Sequence, residues 1–203
     1  MINLHIFDIF NNIMEDQNIQ LIIQFKHGNQ NAFDLLVKEN LKSVLNFVYR
    51  YIYDTDLAED ITQEVFIKVW KNISKFDTSK NFKPWLFKIA KNTALDFIKK
   101  RKLIPFSSFE NDNDENNFID NIEDQKTFIE EINSEDQKKF LNEFLQELNP
   151  NQQLIFFLYY YQDMTFKEIS ETLNISINTI KSRYLRGLEK LKTIAPKLIN
   201  QSY

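Results

Sequence analysis

The sequence predicts an all-α protein that consists of two small helical domains joined by an acidic linker. Only 2 of the 203 residues are Gly and 4 are Pro, so the turns with positive φ that β-hairpins require are scarce. Apolar residues make up 43% of the chain and recur at steps of three and four, the period of amphipathic helices. Charge changes sign along the chain, which indicates two domains and a tether between them.

The charged residues fall into three main blocks. Residues 24–103 carry 15 Lys and Arg against 9 Asp and Glu, and residues 137–203 carry 9 against 6. Between them, residues 104–136 carry 1 basic residue against 11 acidic ones. Two basic blocks beside an acidic strip are typical of two polyanion-binding domains on a tether, although solvated surface charge would give the same pattern.

Apolar spacing predicts the first helices of the N-terminal domain. A short apolar run over residues 19–26 ends at Gly28, a natural helix stop. The next helix extends to about Ile52, and its apolar face is Phe33, Leu36, Val37, Leu41, Val44, Leu45 and Val48. Asp54 or Thr55 can cap a third helix. Its apolar positions recur every four residues, at Leu57, Ile61, Val65, Val69 and Ile73.

A polar, irregular loop is predicted over residues 74–82. Pro84 suits the first turn of a fourth helix, which extends to about Arg101. The predicted apolar face of this helix is Leu86, Ile89, Ala90 and Phe97. The N-terminal domain is therefore predicted to be a bundle of about four helices.

The C-terminal domain is predicted to contain a helix-turn-helix. Helices around residues 136–147 and 151–161 precede two short helices. Thr165 and Glu168 form a capping-box pattern on the first short helix. Asn174 suits the turn that follows, and Ser176 can cap the second short helix. The predicted inward face of this helix is Ile180, Tyr184, Leu188 and Leu191.

The outward side of the second short helix is polar and basic. Its candidate DNA-binding residues are Asn178, Thr179, Lys181, Ser182, Arg183, Leu185 and Arg186. Two helices around a tight turn, the second with a basic outward side, are what insertion into the DNA major groove requires. An ordinary helical hairpin with solvated basic residues is the alternative. The caps and their spacing favour DNA binding.

The composition excludes most catalytic and metal-binding chemistry. There is no Cys, and two Gly cannot form a Gly-rich phosphate loop. Asp60 and Glu64 could act as an acid–base pair, but nothing near them in sequence supplies a nucleophile or a set of metal ligands. We therefore expect no catalytic residues, no cofactor and no metal, and the protein is predicted not to be an enzyme.

The acidic strip has the spacing of a calcium-binding loop but lacks its essential turn. Asp112, Asp114, Asn116, Asp120 and Glu123 fall at EF-hand positions, whereas Asn117 occupies the position of the loop glycine. We therefore interpret the strip as a tether.

We expect no membrane insertion. No stretch approaches the ~20 apolar residues that cross a bilayer. Residues 1–13 have neither the basic start nor the small-residue cleavage site of a signal peptide. The absence of Cys fits a reducing compartment, and the predicted location is the cytoplasm.

Three stretches resemble the extracytoplasmic-function (ECF) group of sigma factors of bacterial RNA polymerase. Residues 56–70 resemble the polymerase-binding helix of the family, residues 84–96 the helix after its promoter-melting loop, and residues 165–191 its C-terminal helix-turn-helix. The similarity covers about residues 19–103 and 137–195. Ser170 and Gly187 depart from the Ala that is common at these positions, and Asn174 replaces a frequent turn Gly. We expect Gly187 to weaken its helix by up to about 1 kcal/mol relative to Ala.

The resemblance implies a domain order and a polymerase-binding site. A sigma domain 2-like bundle over residues 19–103 would follow an N-terminal extension at 1–18. A sigma domain 4-like helix-turn-helix domain at 137–195 would come after the linker at 104–136 and before a tail at 196–203. Asp60, Gln63 and Glu64 would dock on core RNA polymerase, and their spacing places them on one helical face, away from the apolar stripe.

The resemblance also implies two DNA sites. The loop at residues 75–82 would capture an unstacked base of the minus-ten promoter element, and basic residues after it would follow the melted strand. The candidates are Phe76, Lys80, Asn81, Phe82, Trp85, Lys88, Lys91 and Asn92. Aromatic rings next to lysines suit single-stranded DNA. The helix-turn-helix would read the upstream, minus-thirty-five element.

The function that the resemblance implies is that of a sigma factor, which binds core RNA polymerase and directs promoter recognition, melting and transcription initiation. Its implied partners are core RNA polymerase, promoter DNA as duplex and as melted single strand, and an anti-sigma factor. The alternative is a stand-alone helix-turn-helix regulator whose N-terminal bundle serves for sensing or dimerisation.

Overall fold

The computed structural model describes residues 17–100 and 145–199, and within them every regular element is helical. This confirms the all-α fold class. The chain divides into two compact units between Phe106 and Ser107. The predicted acidic linker at 104–136 and nearly all of the predicted extension at 1–18 lie outside the described residues, as does most of the helix predicted around 136–147.

The first unit is the predicted bundle of four helices. Helix α1 covers residues 17–26, α2 Gln30–Ile52, α3 Thr55–Asn72 and α4 Phe82–Lys100. A short 3-10 turn, Ile73–Lys75, follows α3. Helices α2, α3 and α4 pack against one another in all three pairs. The largest fully buried side chains of this unit are Ile22, Leu36, Phe47, Ile61, Ile73, Phe82, Leu86 and Phe87.

Local chain chemistry sets the helix ends, as predicted. Gly28 has a φ of +97°, which explains why the chain turns after α1 at this residue. The carboxylate of Asp54 accepts a hydrogen bond from the backbone N–H of Leu57 at 3.0 Å and caps α3. Pro84 lies in the first turn of α4, where its missing N–H costs nothing.

One predicted core position is wrong, and several others are only half-buried. Leu41 is 46% exposed, and the neighbouring Asn40 is buried instead. The Asn40 amide donates to Asn18 Oδ1 and to the Leu36 carbonyl, both at 2.8 Å, so both N–H donors of this buried side chain are paired. Phe97 is only half-buried, because the inward face of α4 continues at the next residue, Ile98.

In the described part of the second unit, three helices follow residue 149. Helix α5, Pro150–Phe156, continues as a π-helical segment, Phe157–Tyr161. Helix α6 covers Phe166–Leu173, and α7 covers Ile177–Ile199. The prediction of two short helices holds for α6 with 8 residues but is wrong for α7, which has 23. Helix α7 also extends into the region predicted as a tail from residue 196.

The inward face of α7 packs on α5 through a close approach at Gly187. Ile180, Tyr184 and Leu191 are buried as predicted, whereas Leu188 is only half-buried. A Cβ placed on Gly187 would lie 2.8 Å from Cε2 of the buried Phe156 ring. Gly187 therefore makes room for that ring, a role that the expected loss of helix propensity did not include.

We found no helix among residues 17–100 and 145–199 that has both the length and the apolar character needed to cross a membrane.

We predict that Gly187→Ala destabilises the second unit although Ala is the better helix former. The gain in helix propensity is about 1 kcal/mol. The clash with Phe156 costs about 1–3 kcal/mol, since inserting a methyl group into a packed core forces side chains to move. The net loss in the free energy of unfolding is measured by urea denaturation, monitored by the near-ultraviolet circular dichroism of the tyrosines.

The exposed Lys192→Ala on the same helix is the matched control and is expected to leave stability nearly unchanged. Phe156→Leu is expected to cost stability by itself, because it removes the ring that stacks on Tyr184. Combined with Gly187→Ala, the total loss should be smaller than the sum of the two single losses, because the smaller side chain leaves room for the new methyl group. An increase in stability for Gly187→Ala alone would contradict the role of the glycine.

Candidate nucleic-acid and polymerase interfaces

The helix-turn-helix is formed by reciprocal local hydrogen bonds. At the start of α6, Glu168 N–H donates to Thr165 Oγ1 at 3.2 Å, and Thr165 N–H donates to Glu168 Oε2 at 2.9 Å. This is the predicted capping box. Helix α6 ends at Asn174, whose φ of 55° and ψ of 46° are left-handed, a conformation that Asn tolerates better than most residues.

Ser170 closes the turn between α6 and α7. Its hydroxyl donates to the Ile175 carbonyl at 2.6 Å, and the Ile175 N–H donates to the Ser170 carbonyl at 3.2 Å. At the start of α7, Thr179 N–H donates to Ser176 Oγ at 3.1 Å, which confirms the predicted cap. The departure of Ser170 from the common Ala thus adds a hydrogen bond inside the motif.

A cluster of aromatic rings holds α7 in place. The ring of Tyr184 stacks on Phe156 at 4.9 Å and meets the edge of Phe166 at 5.0 Å, measured between centroids. Its hydroxyl is 2.6 Å from that of Tyr160, which lies in the π-helical segment. The orientation of α7 is therefore tied to both α5 and α6, and its outward side is presented at a defined angle.

The structure exposes most of the predicted reading residues. Asn178 is exposed, and five others are partly exposed, namely Thr179, Lys181, Ser182, Leu185 and Arg186. Arg183 is corrected, because only 6% of its surface is exposed. It lies three residues after Ile180 and one before Tyr184, on the buried side of the helix.

One exposed residue of this surface was not among the predicted ones. Ile177 opens α7 beside Asn178 and is 39% exposed. An apolar side chain at the first turn of a recognition helix can contact a thymine methyl group. Ile177 is in register with the buried Ile180 and Tyr184, so the spacing of apolar residues assigns it to the inward face and carries no signal of its exposure.

The predicted minus-ten residues separate into buried rings and exposed polar groups. Phe76 is 6% exposed and Phe82 only 1%. Each ring lies near Trp85, at 5.0 and 5.8 Å between centroids. The expectation that Phe76 and Phe82 stack on a base is therefore corrected. Both rings are already in contact with the core, whereas Trp85 stays half-buried.

The polar members of the same set face outward. Lys80 and Asn81 lie in the turn before α4, and both are exposed. On α4, Lys91 and Asn92 lie three and four residues after Lys88, so the three side chains share one face. Lys91 is partly exposed, and the other two are exposed. This arrangement can attract a phosphate backbone and offer hydrogen bonds to bases.

Helix α3 presents a mixed polar and apolar face. Asp60, Gln63 and Glu64 are exposed, as predicted, and Glu64 Oε1 is 3.9 Å from Lys68 Nζ. Ile67 and Trp70 are 45% and 53% exposed and lie on the same face by their spacing. Our sequence reasoning missed these two residues, although both lie outside the buried Ile61, Val65 and Val69 stripe.

Within residues 17–100 and 145–199, no three His, Asp or Glu side chains come close enough to hold a metal ion. The acidic strip with the calcium-loop spacing lies outside these residues.

Comparison with known proteins identifies the family. The sigma-70 region 2 family matches residues 36–104, and the sigma-70 region 4 family matches residues 141–191. The chain is 32% identical over 179 residues to the ECF RNA polymerase sigma factor SigW of Bacillus subtilis, with 84% of this chain and 92% of SigW covered. The chain belongs to the ECF group of RNA polymerase sigma factors.

A second relative and two solved structures agree. The sigma factor is 31% identical to SigM of Bacillus subtilis over 170 residues, with 82% of this chain and 99% of SigM covered. Its fold resembles CnrH in complex with the cytosolic domain of CnrY, with a TM-score of 0.56, 18% identity and coverage of 89% and 98% of the two chains. It also resembles the sigma factor RpoE in complex with the anti-sigma factor NepR from Bartonella quintana, with a TM-score of 0.53, 22% identity and coverage of 81% and 96%.

Family membership decides between the two functions that the sequence left open. Sigma factors bind core RNA polymerase and direct it to promoter DNA, so this chain is a transcription initiation factor and not an enzyme. The interpretation as a stand-alone regulator is wrong, because the first unit matches sigma region 2 and is not an unrelated sensing bundle.

We predict that Ser170→Ala loosens the turn between α6 and α7. The Ile175 carbonyl loses its 2.6 Å donor, which should cost about 1 kcal/mol, the usual net contribution of a neutral hydrogen bond. Amide hydrogen exchange in peptides from residues 166–184 measures the effect. Exposed Ser74→Ala in the first unit serves as the control. Equal exchange in wild type and Ser170→Ala would show that this bond is not needed.

Proposed function

We propose that the sigma factor reads upstream promoter DNA with the outward side of α7, holds the melted minus-ten strand with residues 80–92, and docks on core polymerase through α3. The observation that supports this most strongly is the outward side of α7. A capped helix, fixed from behind by Tyr184, carries amide, hydroxyl and basic groups on its first three turns. Major-groove reading requires this combination.

The upstream element would be read by a small set of side chains. Lys181 and Arg186 supply long basic groups that can reach guanine edges or phosphates. Asn178 can form paired hydrogen bonds with adenine. The hydroxyls of Thr179 and Ser182 already take part in local hydrogen bonds: the Thr179 hydroxyl is 2.8 Å from that of Ser176, and Ser182 Oγ donates to the Thr179 carbonyl at 3.0 Å. They retain acceptor capacity for a DNA contact.

The melted strand would follow the exposed polar groups of the first unit. Lys80 and Asn81 form the tip of the loop, and Lys88, Lys91 and Asn92 extend the path along α4. In this proposal, the rings of Phe76 and Phe82 support the loop from below, and half-buried Trp85 is the aromatic group nearest to a captured base. A basic track beside an accessible ring is the usual solution for single-stranded DNA.

Docking on polymerase would use both polar and apolar contacts. Asp60, Gln63 and Glu64 supply charge and hydrogen bonds, while exposed Ile67 and Trp70 supply apolar area. Exposed Trp is unusual on a free surface and is enriched where proteins bind each other. We therefore extend the proposed polymerase-binding surface to these five residues.

Two further features belong to the proposal. We place the factor in the cytoplasm, where a bacterial polymerase transcribes, and we infer regulation by an anti-sigma factor, as in the complex of RpoE with NepR. The domain limits of 19–103 and 137–195 also stay a proposal, with the C-terminal limit moved to about residue 199 because α7 extends that far.

We predict that Lys181→Ala and Arg186→Ala each weaken promoter-specific binding of the holoenzyme. A lost bidentate base contact costs about 1–3 kcal/mol and relaxes specificity at one position. A lost phosphate contact instead weakens all sequences alike and lowers the salt dependence. Selection of random duplex DNA by the holoenzyme, followed by sequencing, separates the two cases. Lys192→Ala is the control, and wild-type selectivity in both variants would refute the proposed reading surface.

We predict that Asp60→Ala combined with Glu64→Ala abolishes stable association with core polymerase and leaves the fold intact. Both carboxylates are exposed, so their loss leaves no buried group without a partner. Co-purification with core polymerase tests association, and circular dichroism tests the fold. The control is Asp34→Ala with Glu39→Ala, two exposed acids on α2. Undiminished co-purification of the α3 variant would exclude this face as the docking site.

A further inference from the structure

The end of α1 contacts the loop before α4. Lys26 Nζ donates a hydrogen bond to the Phe76 carbonyl at 2.6 Å, across 50 residues of sequence. Lys26 is the last residue of α1, and Phe76 is the first residue after the 3-10 turn that follows α3. Helix α1 is thus tied to the start of the loop that carries Lys80 and Asn81.

The loop itself is ordered by an Asp turn. The Asp77 carboxylate accepts hydrogen bonds from Ser79 N–H at 3.1 Å and Ser79 Oγ at 2.8 Å, and Lys80 N–H donates to the Asp77 carbonyl at 3.0 Å. The two hydrogen bonds from Ser79 hold the pKa of Asp77 below its usual value, and the positive charges of Lys80 and Lys26 lower it further. The Lys26 ammonium therefore acts on two successive residues, Phe76 and Asp77.

The contact lies where the buried and exposed parts of the loop meet. The Phe76 ring is fixed inside the unit by Phe82 at 5.8 Å and Trp85 at 5.0 Å. Beyond Phe76 the chain emerges at Asp77, which is exposed. The hydrogen bond from Lys26 to the Phe76 carbonyl therefore fixes the peptide plane at which the loop begins. This plane sets the direction of the chain from Asp77 to Asn81.

We propose that Lys26 is a positioning residue, which holds residues 76–81 in the shape that presents Lys80 and Asn81 to the melted promoter strand. This inference rests on the proposed function of the loop. It assigns a role in strand capture to α1, which carries none of the proposed DNA-contacting residues. A direct bond from Lys26 to a DNA phosphate is the competing explanation, because an exposed ammonium could serve either purpose.

Two substitutions separate these explanations. Lys26→Gln removes the charge but keeps an N–H donor, whereas Lys26→Met removes both and keeps a similar length. Positioning through the carbonyl predicts that Lys26→Gln retains much of the wild-type behaviour and Lys26→Met does not. Phosphate binding predicts equal losses in both, since it depends on charge. Lys38→Met, at an exposed site on α2, is the matched control.

The loop is first measured in the free sigma factor. The chain has 2 Trp, so a Trp70→Phe background leaves Trp85, which lies beside Phe76, as its only Trp, and this residue can be excited selectively over the tyrosines. We expect Lys26→Met to change the Trp85 emission and to accelerate amide exchange in residues 77–82 by about tenfold. Lys26→Gln should fall between Lys26→Met and wild type. Unchanged emission and exchange in Lys26→Met would overturn the proposal.

Strand capture is then measured in the holoenzyme with Trp70 intact. The holoenzyme binds a pool of single-stranded DNA 20-mers of random sequence, and the bound DNA is recovered and sequenced. The affinity of the holoenzyme for the pool is measured by fluorescence anisotropy. We expect Lys26→Met to reduce base enrichment by about tenfold with little effect on binding to duplex DNA by the second unit.

Lys80→Ala combined with Asn81→Ala separates failure of the inference from failure of the proposed function. If this variant loses enrichment but Lys26→Met does not, Lys26 has no positioning role. If neither variant loses enrichment, the loop does not capture the strand, and the proposed minus-ten function fails. Equal losses in Lys26→Gln and Lys26→Met with an unchanged loop would assign Lys26 to a DNA phosphate and overturn the positioning role.

Discussion

The stacking of Tyr184 on Phe156 is the contact on which the DNA-reading half of the molecule depends. The two centroids are 4.9 Å apart, and the same tyrosine ring contacts Phe166 on α6 and Tyr159 in the π-helical segment. One residue of α7 therefore contacts α5, α6 and the π-helical segment at the same time. A recognition helix has to be held from its inner side alone, because its outer side must stay available for DNA.

In the first unit, an exposed loop also has to be held from its inner side. Residues 77–81 carry polar groups toward solvent, and such a segment has little apolar area of its own to hold it. Its two ends are held by the buried rings of Phe76 and Phe82, which meet edge to face at 5.8 Å, and its middle is ordered by the hydrogen bonds between Asp77 and Ser79. The aromatic residues that looked like DNA contacts in the sequence thus act as the anchors of the loop.

Features that depend on neighbours within about four residues could be predicted from the sequence. Asp54, Thr165 and Ser176 cap helices through bonds to the third residue after each, and Asn174 ends α6 in the left-handed conformation. The burial of Asn40 depends on Asn18, which is 22 residues away, and the burial of Phe76 depends on contacts with α4. Spacing alone contains no information about such partners. The π-helical segment at 157–161 left no recognisable pattern either.

The approach of Phe156 to Gly187 also bears on how this branch of the family has diverged. An aromatic ring of this size in α5 is tolerated only while residue 187 has no side chain, and Ala is tolerated at 187 only if the ring shifts or shrinks. A change at position 156 or 187 alone is expected to lower the stability of the second unit. During evolution the two positions therefore change together or by way of a less stable protein. We therefore expect positions 156 and 187 to covary among homologues, as a coupled pair on the buried side of a helix whose outer side is the proposed reading surface.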